Sequence, residues 1–343
     1  MAQTRAVAEV FPPGEFVRDE LESRDWTQAD LAKIMDRPVQ AVNEIVSGKK
    51  AITPETAIGL SQAFGTTPEL WLNLEMAYRL SLVECSDDTV ARKAKIYSFA
   101  PIADMVKRNW IEDGLAVPDL EKRVTSFFEV KSLDEAPSFS FAARKSTSYD
   151  MQTVGQWAWI FQAKRLASTL QMRPYSPNHL KQALVELKKL TVNPEDVRHV
   201  PRVLTNAGIR FVIVEQLAGS RMDGAAFWLS EKEPVIAISL RFDRIDWFWF
   251  TLGHELGHIH DGNENFIDAD LTQDDAERPD AERRADEFSS NLTIPSQELN
   301  DFILRTRPLF SKKRIIGFAT RIGVHPGIVV GQFTKLIDYE LRS

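Results

Sequence analysis

Cysteine is almost missing from this chain: Cys85 is the single one among 343 residues. That excludes an internal disulfide and fits a reducing cytosol. Its neighbours Glu84 and Asp87 would raise the thiol's pKa, so no cysteine nucleophile is expected. Long hydrophobic runs are missing as well. No apolar stretch approaches the roughly 18–20 residues that span a bilayer. The N-terminal segment also lacks a charged stretch leading into an apolar one, so a cytoplasmic protein with no membrane contact is expected. Basic charge is in deficit, with 42 Lys and Arg against 49 Asp and Glu and a net charge of −7. No global field therefore draws this protein onto nucleic acid, and any DNA contact must come from a local surface. The turn from Gly219 to Gly224 lacks the Gly-Lys-Ser/Thr ending of a phosphate loop. Aromatics are plentiful by contrast. Eight Trp and 20 Phe imply large, well-filled cores.

The chain divides into three regions, and the expected fold class is multidomain, α followed by α+β. Residues 1–80 read as five short helices. Thr27 is a good N-cap with Asp30 three residues on, and Leu31 and Ile34 share a face of the helix that follows. The next segment carries Val39, Val42, Ile45 and Val46 at helical spacing and stops at Ser47-Gly48. Thr53-Pro54-Glu55 and Thr67-Pro68-Glu69 start two more helices. A tight turn between the second and third helices is helix-turn-helix geometry. Residues 81–195 read as a helical connecting layer near 89–107, 120–127, 153–170 and 179–190, burying Trp110, Trp157 and Trp159. Residues 196–343 form a small α+β unit. Three β-rich runs, 209–214, 225–229 and 234–240, precede helices over 243–260 and 279–292. Pro234 opens the third run, which suits an edge strand lying beside the helix it leads into, open to pairing with an extended peptide.

The chemistry sits in His254-Glu255-Leu256-Gly257-His258. Two histidines four apart on a helix differ by roughly 40° around its axis, so both imidazoles reach one ion. Glu255 is placed to take a proton from water rather than to ligate. That is the arrangement of a zinc peptidase: neutral imidazoles, an open coordination position and a carboxylate base. A third protein ligand is required. The next helix offers Glu282, on an apolar face with Ala285, Ser289 and Leu292, and Asp286 as a rival. Glu287 points elsewhere. Between Asp261 and Glu287 eleven acids face three arginines, and most of these must form a solvated face. His260 falls on another face of the first helix.

These residues resemble the ImmA/IrrE family of zinc-dependent metallopeptidases. The likeness rests on Phe250-Thr-Leu252 before the His-Glu-x-x-His motif, on Glu282-x-x-Ala285-x-x-Phe288, and on Pro295. It implies a zincin-like C-terminal domain with Zn2+ held by His254, His258 and Glu282, and it favours Glu282 over Asp286. It also sets His325, which opens a Pro-Gly turn, near the site as a contact to substrate or oxyanion. Pro13-Gly-Glu-Phe16, Trp26-Thr-Gln-Ala-Asp-Leu31, Asn43-Glu-Ile45, Gly48 to Pro54 and Trp71-Leu-Asn-Leu74 resemble the XRE-type helix-turn-helix of HigA-like antitoxins. The combination is similar to two-domain regulators that carry an ImmA/IrrE domain.

On a helix-turn-helix, Gln28 would meet a phosphate. Arg37, Gln40, Ala41, Asn43 and Glu44 would face the major groove, with Lys49 and Lys50 on the backbone. The eight basic and twelve acidic residues of 1–80 are poor for nonspecific affinity, so a homodimer on an inverted-repeat operator is expected. The resulting expectation is a DNA-binding regulator with a zinc endopeptidase domain acting on a protein partner, such as a repressor or a toxin. The alternative is a non-catalytic antitoxin or repressor whose zinc-binding domain only docks a partner or senses a signal.

Overall fold

The computed structural model describes residues 10–83, 88–137, 153–262, 266–269 and 280–342, with 266–269 and 335–342 by backbone alone. Cys85 and most of the acidic stretch after Asp261 lie outside these residues. The chain forms two compact units that divide between Asp88 and Thr89.

The N-terminal unit holds α1 (Pro13–Glu22), α2 (Gln28–Ile34), α3 (Val39–Val46), α4 (Pro54–Phe64) and α5 (Pro68–Leu82). Three of the five start on a threonine whose hydroxyl accepts an N3 backbone N–H: Thr27 from Asp30, Thr53 from Thr56 and Thr67 from Leu70. At α2 the box is reciprocal, because the Asp30 carboxylate accepts the Thr27 backbone N–H in return. Val17, Leu31, Val42, Ile45, Leu60, Phe64 and Trp71 form the core, and Trp71 Nε1 donates to Thr66 Oγ1 at 2.8 Å. Only short helices are available, so packing around this core, not propensity, holds them.

The Thr27 hydroxyl, followed by its backbone N–H, holds the Asp30 carboxyl below its usual range. A carboxyl lowered on folding adds stability above its unfolded pKa and loses it as pH falls through the folded value. Thr27→Ala is therefore expected to lower the melting temperature of the full chain near neutral pH. The effect should shrink below about pH 4, where the carboxyl is protonated in the unfolded chain; thermal melts across that range check it.

The second unit starts with α6 (Thr89–Phe99), α7 (Ile102–Lys107), α8 (Val117–Phe127), α9 (Val154–Ser168) and α10 (Pro177–Lys189). A 3-10 turn (Pro194–His199) leads into α11 (Val200–Ala207). Next come β1 (Arg210–Ile213), β2 (Met222–Trp228), β3 (Pro234–Ile238), α12 (Ile245–Asp261) and β4 (Phe266–Ala269). The unit closes with α13 (Asp280–Thr293), α14 (Ser296–Thr306), α15 (Lys312–Ile322) and α16 (Pro326–Arg342). The helix expected over 89–107 is two, broken at Ala100-Pro101, where proline interrupts the ladder.

The sheet runs β1-β3-β2-β4, with β1 parallel to β3 and β2 antiparallel to both of its neighbours. Every residue of β2 and β3 is buried, because helices cover both faces. Alternation sorts them. Met222, Ala225, Phe227, Val235 and Ala237 pack with α6–α9, where Trp159 is fully buried and donates to the Val214 carbonyl at 3.1 Å. Ala226, Trp228, Ile236 and Ile238 pack on the other side with α10, α11 and α12. Helices α6–α9 thus cover one face of the sheet.

This layout corrects one expectation. The run 234–238 is no edge strand: β3 lies between β1 and β2, and both of its edges are paired. Pro234 is tolerated because it stands first in the strand, where the missing N–H costs the ladder little.

Candidate metal centre and nucleic-acid interface

The candidate metal centre is built by two helices that approach closely. Gly253 and Gly257 lie one turn apart on α12 and face Ser289 and Ala285 of α13. A Cβ on Gly257 would stand 2.9 Å from the Ala285 Cα, and one on Gly253 3.0 Å from the Ser289 Cα. Ser289 Oγ seals the crossing by donating to the Phe250 carbonyl at 2.6 Å. Further along, Arg284 Nε donates to Asp261 Oδ2 at 2.8 Å.

This crossing gathers His254, His258 and Glu282 into the one group of potential metal ligands among the described residues, and all three are buried. Nε2 of His254 lies 3.0 Å from Nε2 of His258 and 3.2 Å from Glu282 Oε2, while His258 Nε2 is 3.5 Å from Glu282 Oε1. A tetrahedral ion about 2.0 Å from each ligand needs edges of about 3.3 Å between them. The observed triangle fits that requirement.

Asp286 takes a different post from the one it rivalled for. Its Oδ1 stands 2.8 Å from His254 Nδ1, on the ring edge opposite the ligand triangle. A carboxylate there fixes the Nδ1–H tautomer and leaves Nε2 as the acceptor. Glu287 is exposed. His260 is nearly half exposed, with its ring tilted against Phe288 at a centroid distance of 5.0 Å.

Glu255 is fully buried on the sheet side of α12. Gly224 of β2 lies against it so tightly that any Cβ there would collide with the carboxylate. The N-terminal half of α12 extends the histidine face with half-buried rings. Phe250 lies 6.1 Å from the His254 ring and 6.3 Å from Trp247.

His325 stands at the start of α16. Its Nδ1 accepts the Gly327 N–H at 3.1 Å and its backbone N–H donates to the Thr191 carbonyl at 2.8 Å, so it caps the start of α16. Gly327 packs on Ile245, nine residues ahead of His254 on α12 and hence about 13 Å away along the axis. The Pro-Gly turn after His325 is a helix start.

In the N-terminal unit, Gln40, Asn43, Lys49 and Lys50 are exposed on and just after α3, while Gln28, Ala41 and Glu44 are partly covered. Asn43 Nδ2 donates to Gln28 Oε1 at 3.1 Å and Gln40 Nε2 to Glu44 Oε1 at 3.2 Å, so both amides are pre-positioned. Arg37 is engaged elsewhere. It precedes α3, is half-buried, and donates to Thr56 Oγ1 at 2.9 Å.

The chain thus pairs a helix-turn-helix unit with a second unit that carries the His-Glu-x-x-His helix. Residues 17–71 match the helix-turn-helix family and residues 207–330 match the IrrE N-terminal-like domain, a peptidase family. The chain is 33% identical over 76 residues to the uncharacterized HTH-type transcriptional regulator YddM of Escherichia coli, covering 22% of this chain and 81% of that one. It is 37% identical over 73 residues to virulence-associated protein I of Dichelobacter nodosus, covering 21% and 68%. Among solved structures, the Pseudomonas aeruginosa antitoxin HigA with the higBA promoter is 35% identical over 21% of this chain and 80% of that chain, with a TM-score of 0.21. The chain belongs to the helix-turn-helix transcriptional regulators of the XRE type, and its C-terminal residues match the IrrE-like domain of a peptidase family. Among the described residues no helix is long and apolar enough to cross a membrane.

Proposed function

We propose that this regulator is also a zinc endopeptidase that cuts a protein partner, such as a repressor or a toxin. The observation that carries the reading is the buried triangle of His254, His258 and Glu282, with Glu255 buried one residue along the same helix. A borderline-soft ion suits two neutral imidazoles and one carboxylate, so Zn2+ is the metal these ligands fit. When bound, it supplies Lewis acidity to the scissile carbonyl and to water. The chain's own residues do the rest. Glu255 takes the proton of the attacking water and returns it to the leaving amine. Asp286 holds His254 in the ligating tautomer, and Gly224 leaves room for the Glu255 carboxylate. The direct test is metal analysis of the purified full chain together with incubation against co-encoded proteins. About one zinc per chain and a discrete cleavage product are expected.

The helix-turn-helix places this chemistry on an operator, which a homodimer reads as an inverted repeat. Gln40 and Asn43 read adenines, Gln28 orients Asn43, and Lys49 and Lys50 hold phosphates. Asn43→Ala and Gln40→Ala are each expected to cost about 1–3 kcal/mol on the specific site alone. Lys49→Ala should weaken all sequences alike and flatten the salt dependence. Anisotropy titrations against promoter DNA and a scrambled duplex separate the two outcomes. If the wild-type chain ignores promoter DNA even at low salt, the operator reading is lost.

A further inference from the structure

The first residue of α3 is a valine that the core of the N-terminal unit leaves half in solvent. Helical spacing groups Val39 with Val42, Ile45 and Val46, and the structure separates it from them. Those three are 1%, 3% and 5% exposed, whereas Val39 is 49% exposed. Val39 directly precedes Gln40 and lies one turn before Asn43 on the same side of the helix. It therefore flanks both amides that the operator reading assigns to bases. Those amides are oriented by hydrogen bonds to Glu44 and Gln28. The start of α3 is also left open. Pro38 stands at its N-cap and places no capping side chain over the first turn, in contrast to Thr27 at α2, Thr53 at α4 and Thr67 at α5.

The chemistry of the neighbours decides what an exposed valine can do here. An amide that pairs bidentately with adenine reads an A·T pair, and every such pair presents the thymine 5-methyl group in the same major groove. Amides gain nothing from a methyl group. An aliphatic side chain gains by burying it, because both surfaces leave water together. We infer that Val39 reads the 5-methyl group of a thymine beside the adenines read by Gln40 and Asn43. The inference rests on the operator reading and deepens it. It adds a base contact without charge or hydrogen bond, which contributes to specificity and not to the salt dependence.

The test uses the full chain and its own promoter fragment prepared in two forms, one with thymine and one with uracil throughout. Uracil pairs with adenine as thymine does and lacks only the methyl group. One buried methyl is worth about fourfold in affinity, and two, one in each half-site, about fifteenfold. The wild-type chain is therefore expected to bind the thymine duplex about 4–15-fold more tightly than the uracil duplex. Val39→Ala should lower that ratio towards one and bind the uracil duplex about as the wild type does. Val39→Ile keeps an aliphatic surface and should keep the preference. Lys49→Ala should weaken both duplexes alike and leave the ratio in place. Any effect of uracil on the shape of the DNA persists in Val39→Ala, so the change in ratio isolates the contact. Equal binding of the two duplexes by the wild type overturns the inference, as does a folded Val39→Ala variant that keeps the full ratio. A wild-type chain that binds neither form better than a scrambled duplex removes the operator reading itself, and the inference with it.

Discussion

Glu255→Gln is expected to keep about one zinc per chain while slowing cleavage of any protein the wild type cuts by about a hundred- to ten-thousandfold, the usual worth of a positioned general base. His258→Ala should lose both metal and cleavage. The contrast follows from where the two side chains sit. His258 contributes a vertex of the ligand triangle, 3.0 Å from His254 and 3.5 Å from Glu282, and among the described residues no other group of potential ligands stands beside it. Glu255 lies on the sheet side of the same helix against Gly224, outside the triangle, and glutamine keeps its shape while removing its basicity. Metal analysis and a cleavage time course on the same preparations distinguish the two. If the wild-type chain holds no stoichiometric metal and added Zn2+ fails to raise its melting temperature, the peptidase reading ends.

The parts of this site legible in the sequence were those set by helical spacing. His254 and His258 share a face because four residues make nearly one turn, and Glu282 turns inward because Ala285 and Ser289 share its stripe. The capped helices of the N-terminal unit were legible for a similar reason, since threonine-proline-glutamate starts and a Ser-Gly stop are local chemistry. What escaped depends on distant neighbours. Asp286 and Glu282 both reach the histidines, and only the helix crossing decides that one meets Nε2 and the other Nδ1. His325 precedes Pro-Gly, and its contact with the Gly327 N–H at the start of α16 is visible only in the fold. Strand order was equally hidden. The burial of Pro234–Ile238 on both faces is visible in its unbroken apolar run, which reads as a central strand; the proline drew attention to the edge instead. The signal most readily overlooked was the pair Gly253 and Gly257, whose spacing marks a helix face meant for close contact.

That pair carries the last prediction. Gly257→Leu is expected to weaken zinc binding by at least about 10–100-fold and to lower the melting temperature, although residue 257 touches no metal. The Gly257 Cβ position already stands 2.9 Å from the Ala285 backbone and 3.3 Å from Phe288 Cβ, so a larger side chain can be housed only by moving α13 as a body. Overpacking of this kind costs about 1–3 kcal/mol in the fold alone. The site loses more than the fold does, because Glu282 lies one turn before Ala285 on the displaced helix and must stay within about 0.5 Å of its place to ligate. Gly257→Ala should give a smaller loss in the same direction. Gly317→Ala provides the control, since that helical glycine has open space around it and alanine should, if anything, stabilise α15 by about 0.5–1 kcal/mol. Competition titration with a zinc chelator measures all three. A folded Gly257→Leu protein with wild-type zinc affinity would mean that the α12–α13 contact does not set the ligand geometry, and that Glu282 reaches the histidines by another constraint.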